Sequence, residues 1–209
     1  VCSSDLHLIE FGSGSVRKAA LLLEAMQKPR AYTPVDISAE FLRAQANKIA
    51  AEFPAVEVLP VCADFSSPIT LPLPAVTARG RRVGLFAGST IGNMTTDEAI
   101  SFLRGCRQLL GSGAGMLIGV DLKKDPALLH AAYNDSAGVT AAFTLNLIHR
   151  MNRELRANFA VGRFAHHAFY NPAPGRIEIY LRSLDEQMST IAGRQFTFAR
   201  SEEHTSELQ

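Results

Sequence analysis

Tryptophan is absent from the 209 residues and cysteine occurs only three times. So few cysteines exclude the disulfide framework on which small secreted domains depend. Cys62 falls in a strand pattern and Cys106 in a helix pattern, at a spacing that matches no metal site. We therefore expect a reduced, cytoplasmic protein that holds no metal.

The chain also lacks a large charge excess and a long apolar run. Its formal net charge is +1, and the group Arg79, Arg81 and Arg82 is not interleaved with the aromatic side chains typical of nucleic-acid binding. No apolar run reaches the roughly 20 residues of a membrane-spanning helix. We expect neither nucleic acid nor a membrane as a partner. Because 47% of the residues are hydrophobic, one domain with a sizeable core is feasible.

The two ends of the chain form a complementary pair at the DNA level. Residues 1–6, Val-Cys-Ser-Ser-Asp-Leu, and residues 200–205, Arg-Ser-Glu-Glu-His-Thr, can be encoded by opposite strands of one string, which matches a common sequencing-library adapter. The continuation of that string supplies residues 206–209. We therefore expect residues 1–6 and 200–209 to be translated adapter, and exclude them from fold reasoning. Residues 7–199 are then expected to form one domain, incomplete at both ends.

A glycine turn near the start of the chain is the most informative motif. The apolar segment around Ile9 and Phe11 breaks at Gly12 and Gly14, and a helical pattern follows. Glycine has no Cβ, so a ligand can approach the backbone, and a helix N-terminus directs N–H groups and positive dipole charge at it. The turn predicts a nucleotide-like cofactor. The alternative is a tight strand-to-helix turn that binds nothing.

Polar or glycine residues follow the next three predicted strands as well. Asp36 ends the second strand, Asp64 and Phe65 follow the third, and Gly88 and Asn93 follow the fourth. The carboxyl ends of parallel strands meet at one edge of the sheet, where open α/β sheets bind ligands. Asp36 lies where doubly wound folds place the acid that binds ribose hydroxyls.

Strand and helix patterns alternate along the first part of the chain. Helices of this length imply crossover connections, and so a mostly parallel sheet with helices on both faces, which is a Rossmann-like α/β fold. The third helix has the clearest start, because Thr95 to Glu98 forms a capping box. After the first strand, the predicted strands are 32–35, 56–62, 83–87 and 116–120, and the predicted helices are 15–27, 38–53 and 95–110.

The last part of the chain changes its pattern. Residues 125–158 are helical in pattern, with a break at Gly138. Residues 164–170 and 176–183 alternate around a turn rich in proline and glycine, which predicts an antiparallel hairpin that closes the sheet. The prolines within 68–82 predict a loop. The pattern shows no repeats and no second domain boundary.

The motifs together resemble a known enzyme family. Arg17 stands where a nicotinamide-binding turn favours a third glycine, whereas Glu10, two glycines, Asp36 and Asp64 resemble the class I S-adenosylmethionine-dependent methyltransferases. Six further blocks are similar to the L-histidine Nα-methyltransferases of the ergothioneine pathway, over essentially all of 7–199. These blocks are Gly88-Ser89-Thr90-Ile91-Gly92-Asn93, Asp121-Leu122-Lys123-Lys124-Asp125, Ala132-Tyr133-Asn134-Asp135, Gly138-Val139-Thr140-Ala141-Ala142-Phe143, Asn152-Arg153-Glu154-Leu155 and Tyr170-Asn171-Pro172.

The resemblance implies a cofactor site for S-adenosylmethionine. Gly12 and Lys18 would line its pocket, Asp36 would hold the ribose, and Asp64 with Phe65 would surround the adenine. Each has a structural alternative. The clearest is Asp36, which could cap the following helix, while Lys18 could be a solvated side chain in the first turn of its helix.

The resemblance also implies a substrate site for L-histidine. Asn93 would contact the α-amino and carboxylate end, Tyr133 would help to hold the carboxylate, and Gly88 would contribute backbone near the methyl transfer. Three transfers to one nitrogen would give a trimethylammonium product. Ile179 stands where a relative has methionine near the imidazole, which keeps that position apolar. As alternatives, Asn93 could be a turn residue and Tyr133 a core residue.

Two further interpretations remain open, a nicotinamide-dependent oxidoreductase and a cofactor-binding module without activity. The resemblance places the residues that recognise the imidazole beyond 199 and a further substrate tyrosine upstream of the first strand. We therefore expect the chain as given to be a poor catalyst. Separately, we expect a monomer. His166 and His167 are adjacent on a predicted strand, so they face opposite sides and cannot share a metal.

Overall fold

The computed structural model describes residues 5–14, 16–72 and 80–205, with the side chains of 203–205 excepted. Ser15, most of the predicted proline loop (73–79) and the terminal residues 1–4 and 206–209 lie outside the described residues. The chain divides into two compact units, Val1–Asp121 and Leu122–Gln209. These are called the first and the second unit below.

The first unit is built on a parallel sheet, as predicted. The strands lie in the order β3-β2-β1-β5-β6, and β4 pairs with β2 beyond the end of β3. The elements are β1 (Leu6–Phe11), α1 (Arg17–Ala25), β2 (Pro29–Asp36), α2 (Ala39–Glu52), β3 (Glu57–Val58), β4 (Val61–Cys62), β5 (Arg81–Phe86), a 3-10 turn (Thr90–Asn93), α3 (Thr96–Leu110) and β6 (Gly115–Ile118).

Strand order places a topological switch point between β1 and β5. The connection from β1 leads to β2 on one side, and the connection from β5 leads to β6 on the other side. Where neighbouring connections diverge, a crevice opens at the carboxyl ends of the strands, and ligands bind there in open α/β sheets. The glycine turn after β1 lies at this edge.

Alternating side chains of β1 serve the two faces of the sheet. Leu8 is buried with Leu23 of α1 and Ile49 of α2, whereas Ile9 and Phe11 are buried with Phe102 of α3. Each face of the sheet is thus covered by its own helices. The prediction of helices on both faces is confirmed, and its cause is the two-residue period of a strand that is apolar on both sides.

The third predicted strand, 56–62, is interrupted. The N–H of Leu59 donates to the carbonyl of Tyr32 at 2.9 Å, but the next bond of the parallel ladder would need an N–H at position 34 of β2, and Pro34 has none. The strand therefore splits into β3 and β4, both paired with β2.

The third helix begins as predicted. The Thr95 hydroxyl accepts from the N–H of Glu98 at 3.3 Å, and the Glu98 carboxylate accepts from the N–H of Thr95 at 2.6 Å. These hydrogen bonds satisfy N–H groups that the first helical turn leaves unpaired, so the capping box is confirmed. Gly111 ends the helix with φ +85°, in a region that favours glycine.

The second unit combines two helices with antiparallel strands. The helical prediction for 125–158 is confirmed for Pro126–Tyr133 and Val139–Glu154, whereas residues 155–158 are not helical. The break at Gly138 is confirmed, because Gly138 has φ +69° and precedes the second helix. The elements are α4 (Pro126–Tyr133), α5 (Val139–Glu154), a 3-10 turn (Val161–Arg163), β7 (Phe164–Asn171), β8 (Arg176–Ser183), β9 (Gln187–Ile191), β10 (Arg194–Phe198) and β11 (Glu203–Thr205).

The predicted hairpin is present as β7 and β8, paired from Phe164 with Ser183 to Asn171 with Arg176. It does not continue the parallel sheet as predicted, because it forms a three-stranded sheet in the order β11-β8-β7. β11 lies in the segment predicted to be adapter. The adapter origin of residues 200–209 concerns the DNA that encodes them, and it stays a prediction.

A second hairpin, β9 and β10, was not predicted from the sequence. Its two-residue turn has φ +49° at Ala192 and φ +80° at Gly193. Positive φ at both positions is typical of hairpin turns, where asparagine or aspartate usually precedes the glycine. Alanine in that place gives a weak signal, which is why the pattern was missed.

The core of the second unit depends on three phenylalanine rings. Phe159, Phe164 and Phe198 contact each other edge to face, with ring centroids 5.4 to 5.8 Å apart. Ile148 of α5 and Leu181 of β8 complete the buried cluster. Helix and strands of this unit are therefore held by one small apolar cluster.

Candidate functional site

The glycine turn after β1 is a strand–turn–helix junction, as predicted. Gly12 has φ +69°, and the N–H groups of Gly12 and Ser13 donate to the carbonyl of Val35 at 2.9 and 3.2 Å. A Cβ built on Gly12 would lie 3.5 Å from the Phe65 ring, whereas one on Gly14 would meet nothing within 4 Å. The turn is therefore closed on the side of Phe65 and open at Gly14.

Lys18 and Gly88 lie close together although 70 residues separate them in the sequence. Lys18 is in the first turn of α1, and its Nζ lies 3.3 Å from the position that a Cβ on Gly88 would take. Gly88 follows β5 and has φ +75°. The structure therefore brings a side-chain cation to bare backbone at the crevice between β1 and β5.

Asp36 and Asp64 each accept hydrogen bonds from the following turn. Asp36 Oδ1 accepts from the N–H of Ser38 at 2.9 Å, and Asp64 Oδ1 accepts from the N–H and the hydroxyl of Ser66 at 2.9 and 2.6 Å. The hydrogen bonds from Ser66 lower the pKa of Asp64. Asp36 does not cap α2, because Ser38 is the N-cap residue and α2 has no side-chain cap hydrogen bond within the described residues. The turn to Ser38 engages Oδ1 of Asp36, and a carboxylate has a second oxygen for a ligand hydroxyl.

Phe65 connects this edge to the core of the first unit. Its ring lies edge-on to Phe11, Phe86 and Phe102 at centroid distances of 6.3, 5.8 and 5.8 Å. Because the ring is held by these neighbours, it presents a fixed apolar wall next to Gly12. An adenine-like ring suits such a wall, with the carboxylate of Asp64 one residue away.

The segment after β5 is held in place by two residues that the sequence analysis did not single out. Ser89 has φ +60°, and its hydroxyl accepts from the N–H of Asp121 at 2.8 Å. A Cβ on Gly119 would lie 3.2 Å from the nitrogen of Gly88, so a larger residue would push that backbone away. Asn93 ends the 3-10 turn that follows and is exposed.

A buried polar pair, Glu10 and Tyr32, lies next to the glycine turn. The hydroxyl of Tyr32 donates to the carboxylate of Glu10, and both side chains are buried. Burial raises the pKa of Glu10, against the hydrogen bond from Tyr32 and the charge of Lys18. Burial and the Glu10 carboxylate also raise the pKa of Tyr32. A glutamate within an apolar strand was the one sequence signal, and its partner was not predicted.

Tyr133 belongs to the second unit, where it is the last residue of α4. Its side chain is 37% exposed, so the structure does not bury it as a core residue. Its backbone carbonyl lies 2.8 Å from His166 Nε2. The phenol is therefore carried by a helix end that β7 contacts.

The edge of the first unit suits a ligand with an adenosine part and a negatively charged group. It combines glycine backbone at two strand ends, carboxylates at two others, a lysine ammonium and an aromatic wall. The described part of the chain contains no group of three or more His, Cys, Asp or Glu side chains that could hold a metal ion. Within the same residues, no helix has the length and apolarity to cross a membrane.

Comparisons with known proteins agree with this chemistry. The family model for histidine-specific, SAM-dependent methyltransferases matches residues 2–208. The histidine N-alpha-methyltransferases of Mycolicibacterium smegmatis and Mycobacterium tuberculosis are 40% and 38% identical over 96% and 99% of this chain. Ergothioneine biosynthesis protein 1 of Neurospora crassa is 35% identical over 71% of this chain and 17% of its own length. The chain spans 63% and 64% of the length of the two bacterial relatives.

Proposed function

The chain belongs to the family of histidine-specific, S-adenosylmethionine-dependent methyltransferases, and on that premise we propose that the protein methylates the α-amino nitrogen of L-histidine, up to the trimethylated product. The observation that carries this proposal is the meeting of Gly12 with Phe65 and of Lys18 with Gly88 at one sheet edge. The family and the edge point to the same cofactor.

The residues at the edge fit S-adenosylmethionine. Gly12 lets the cofactor approach the turn, and Asp36 offers carboxylate oxygen to the ribose hydroxyls. Phe65 provides an apolar contact for adenine, with Asp64 beside it. Lys18 supplies a positive charge that suits the carboxylate of the methionine part. When bound, S-adenosylmethionine supplies a methyl group made electrophilic by a sulfonium cation.

The chain's contribution to the reaction is mainly alignment. Asn93 orients the amine through its amide oxygen, because a neutral acceptor does not stabilise the ammonium form as a carboxylate would. Tyr133 helps to hold the substrate carboxylate. Positioning of the amine at ~3 Å from the methyl carbon, in line with the carbon–sulfur bond, can contribute roughly 7–11 kcal/mol. Ser89 and Gly119 support this by fixing the backbone at Gly88.

A mass measurement tests the proposal. L-histidine incubated with the full-length protein and S-adenosylmethionine should gain mass in steps of one methyl group, and Asp36→Ala in that protein should lose cofactor binding together with turnover. Cofactor binding without any mass gain would favour a binding module. Binding of NAD without S-adenosylmethionine would favour the oxidoreductase.

We also infer a cytosolic setting, since Cys62 and Cys106 are free thiols and a reducing compartment keeps them so. Conversion of both thiols to a mixed disulfide in freshly isolated protein would contradict this. The monomeric state and the low activity of the chain as given stay predictions, which sedimentation and a turnover assay can check.

A further inference from the structure

The end of α4 is tied to β7 by a histidine side chain. Tyr133 is the last residue of the helix, where backbone carbonyls have no partner within the helix. His166 Nε2 lies 2.8 Å from the Tyr133 carbonyl. Because a carbonyl only accepts, Nε2 carries the hydrogen of this bond.

A second tie involves the next residue of the chain. Asn134 Nδ2 donates to the carbonyls of His130 and Ala168 at 3.1 and 3.0 Å. One tie uses the side chain of His166 and the other the backbone carbonyl of Ala168, two residues further along β7. The helix end is therefore held to β7 at two points.

The imidazole of His166 is itself held from α5. Its Nδ1 lies 3.1 Å from the hydroxyl of Thr144, which is 1% exposed. The Tyr133 carbonyl sets the tautomer, because it requires the hydrogen on Nε2 and leaves Nδ1 of the neutral ring as an acceptor. The one hydrogen of the Thr144 hydroxyl is shared between Nδ1 and the Thr140 carbonyl, which lies 3.0 Å from that hydroxyl. His166 thus bridges α4 and α5.

The segment after the tie is anchored as well. The Asp135 carboxylate accepts from the N–H groups of Val139 and Thr140 at 2.8 and 2.9 Å, at the start of α5. These hydrogen bonds lower the pKa of Asp135 to about 2. The backbone from Tyr133 to α5 is therefore held at both ends.

We propose that His166 is a positioning residue, which fixes the backbone of Tyr133 so that the phenol is set for the carboxylate of the amino-acid substrate. The inference rests on the proposed function, in which Tyr133 contacts L-histidine. His166 itself touches neither substrate nor cofactor in this role. It acts through the Tyr133 carbonyl, with Thr144 holding the ring and Asn134 adding the second tie.

Three variants of the full-length protein test the positioning role of His166. His166→Phe removes both hydrogen bonds, His166→Asn retains the contact to Thr144 alone, and His166→Gln places an amide N–H where Nε2 was. For Phe and Asn we expect the Kd and KM for L-histidine to rise roughly 3- to 10-fold, as the loss of one hydrogen bond predicts. His166→Gln should restore most of the affinity.

Two readouts separate positioning from a general loss of structure. The Kd for S-adenosylhomocysteine and the kcat at saturating L-histidine should stay within about two-fold of wild type, because a positioning loss acts on substrate binding. His167→Phe is the matched control. His167 lies on the opposite face of β7, against Phe169 at a centroid distance of 5.4 Å. It should leave L-histidine affinity unchanged.

The outcomes are distinguishable. If the wild type binds L-histidine and His166→Phe or His166→Asn binds it equally well, the positioning role is overturned while the proposed function stands. Equal losses of cofactor and substrate affinity, or no rescue by His166→Gln, would also overturn it. A wild type that binds cofactor but no L-histidine would contradict the proposed function instead. If His166→Phe does not fold, His166→Asn gives the same decision.

Discussion

The two units hold their proposed ligand-binding residues in different ways. In the first unit, backbone hydrogen bonds hold the glycine turn in place, since the N–H groups of Gly12 and Ser13 both donate to the carbonyl of Val35. In the second unit, Tyr133 depends on side chains, with His166 on its carbonyl and Asn134 on β7. Both sites join residues that are far apart in sequence. The bonds at the turn use the Val35 carbonyl, which any residue at position 35 would supply, whereas the bonds near Tyr133 need the side chains of His166 and Asn134.

The hydrophobic cores of the two units also differ, in the number of buried clusters. The first unit buries apolar side chains on both faces of its sheet, in two clusters that share the strands. The second unit relies on one cluster, in which Phe164 contacts both other phenylalanine rings. We therefore expect a core substitution in the second unit to destabilise that unit and to leave the first unit folded. The following experiments test this difference between the units.

The largest expected effect comes from Phe164→Ala. Removal of a buried aromatic ring should lower the free energy of unfolding of the second unit by ~3–5 kcal/mol. Hydrogen exchange should show the loss in β7, β8 and α5, with the strands of the first unit still protected. Phe143→Ala, at a side chain that is 62% exposed, is the control and should cost under ~0.5 kcal/mol. Equal loss of protection in β1 and β2 would break the contrast.

Between pH 6.5 and pH 4 the main effect of pH on stability should come from His7 in the first unit. His7 is buried and lies 2.8 Å from the Thr33 hydroxyl. Burial, together with the charge of Arg82, lowers its pKa from 6.5 to about 4. Between these values the unfolded chain takes up the proton first, so stability is full above pH 6.5. It should fall by ~3 kcal/mol as the pH drops towards 4.

The variant His7→Gln isolates this effect, because glutamine keeps a polar group for Thr33 and does not titrate. Urea unfolding at several pH values should give a flatter profile for the variant than for wild type. Glu10 acts in the opposite direction, since its raised pKa favours the folded state at low pH and removes stability as the pH rises. It is present in both proteins and cancels in the difference. Parallel profiles would contradict the assignment to His7.

Asp36→Asn should weaken the proposed cofactor site without unfolding the first unit. An amide keeps an oxygen for the N–H of Ser38 but loses the charge, so the Kd for S-adenosylmethionine should rise roughly 10-fold or more, as for hydrogen bonds to charged groups. Asp97→Asn, in the exposed first turn of α3, is the control. Calorimetric titration checks both. An unchanged Kd in Asp36→Asn would leave Asp36 as a turn residue only.

The smallest expected effect concerns the start of α3. Thr95→Ala removes the side-chain half of the capping box and should cost ~1 kcal/mol of unfolding free energy. Thr96→Ala changes the neighbouring first helical residue and should cost less, since Thr96 is not the N-cap. Chemical denaturation of the two variants compares them directly. An equal cost would mean that the cap hydrogen bond adds nothing to stability.

Several elements were predictable because their signal is local. The strand–turn–helix at Gly12, the capping box at Thr95 and the break at Gly138 each depend on a few consecutive residues. The hairpin turn at Ala192 is also local, but alanine before glycine gives a weak signal. The split of the third strand depends on Pro34 of the neighbouring strand β2, so residues 56–62 alone do not indicate it. The hairpin β7–β8 was found, yet its partner β11 was not, because strand pairing depends on residues that are distant in sequence.

For the site, the sequence alone determined which residue types follow the strands: glycine at 12 and 88, and carboxylates at 36 and 64. Only the tertiary structure decided which of these residues lie next to each other, because β1 pairs with β5 across a long stretch of intervening chain. That pairing is set by helices packing on both faces of the sheet, and it brings Lys18 to Gly88. Short motifs determine which functional groups are available at the strand ends, whereas the packing of the whole chain determines which of those groups come into contact.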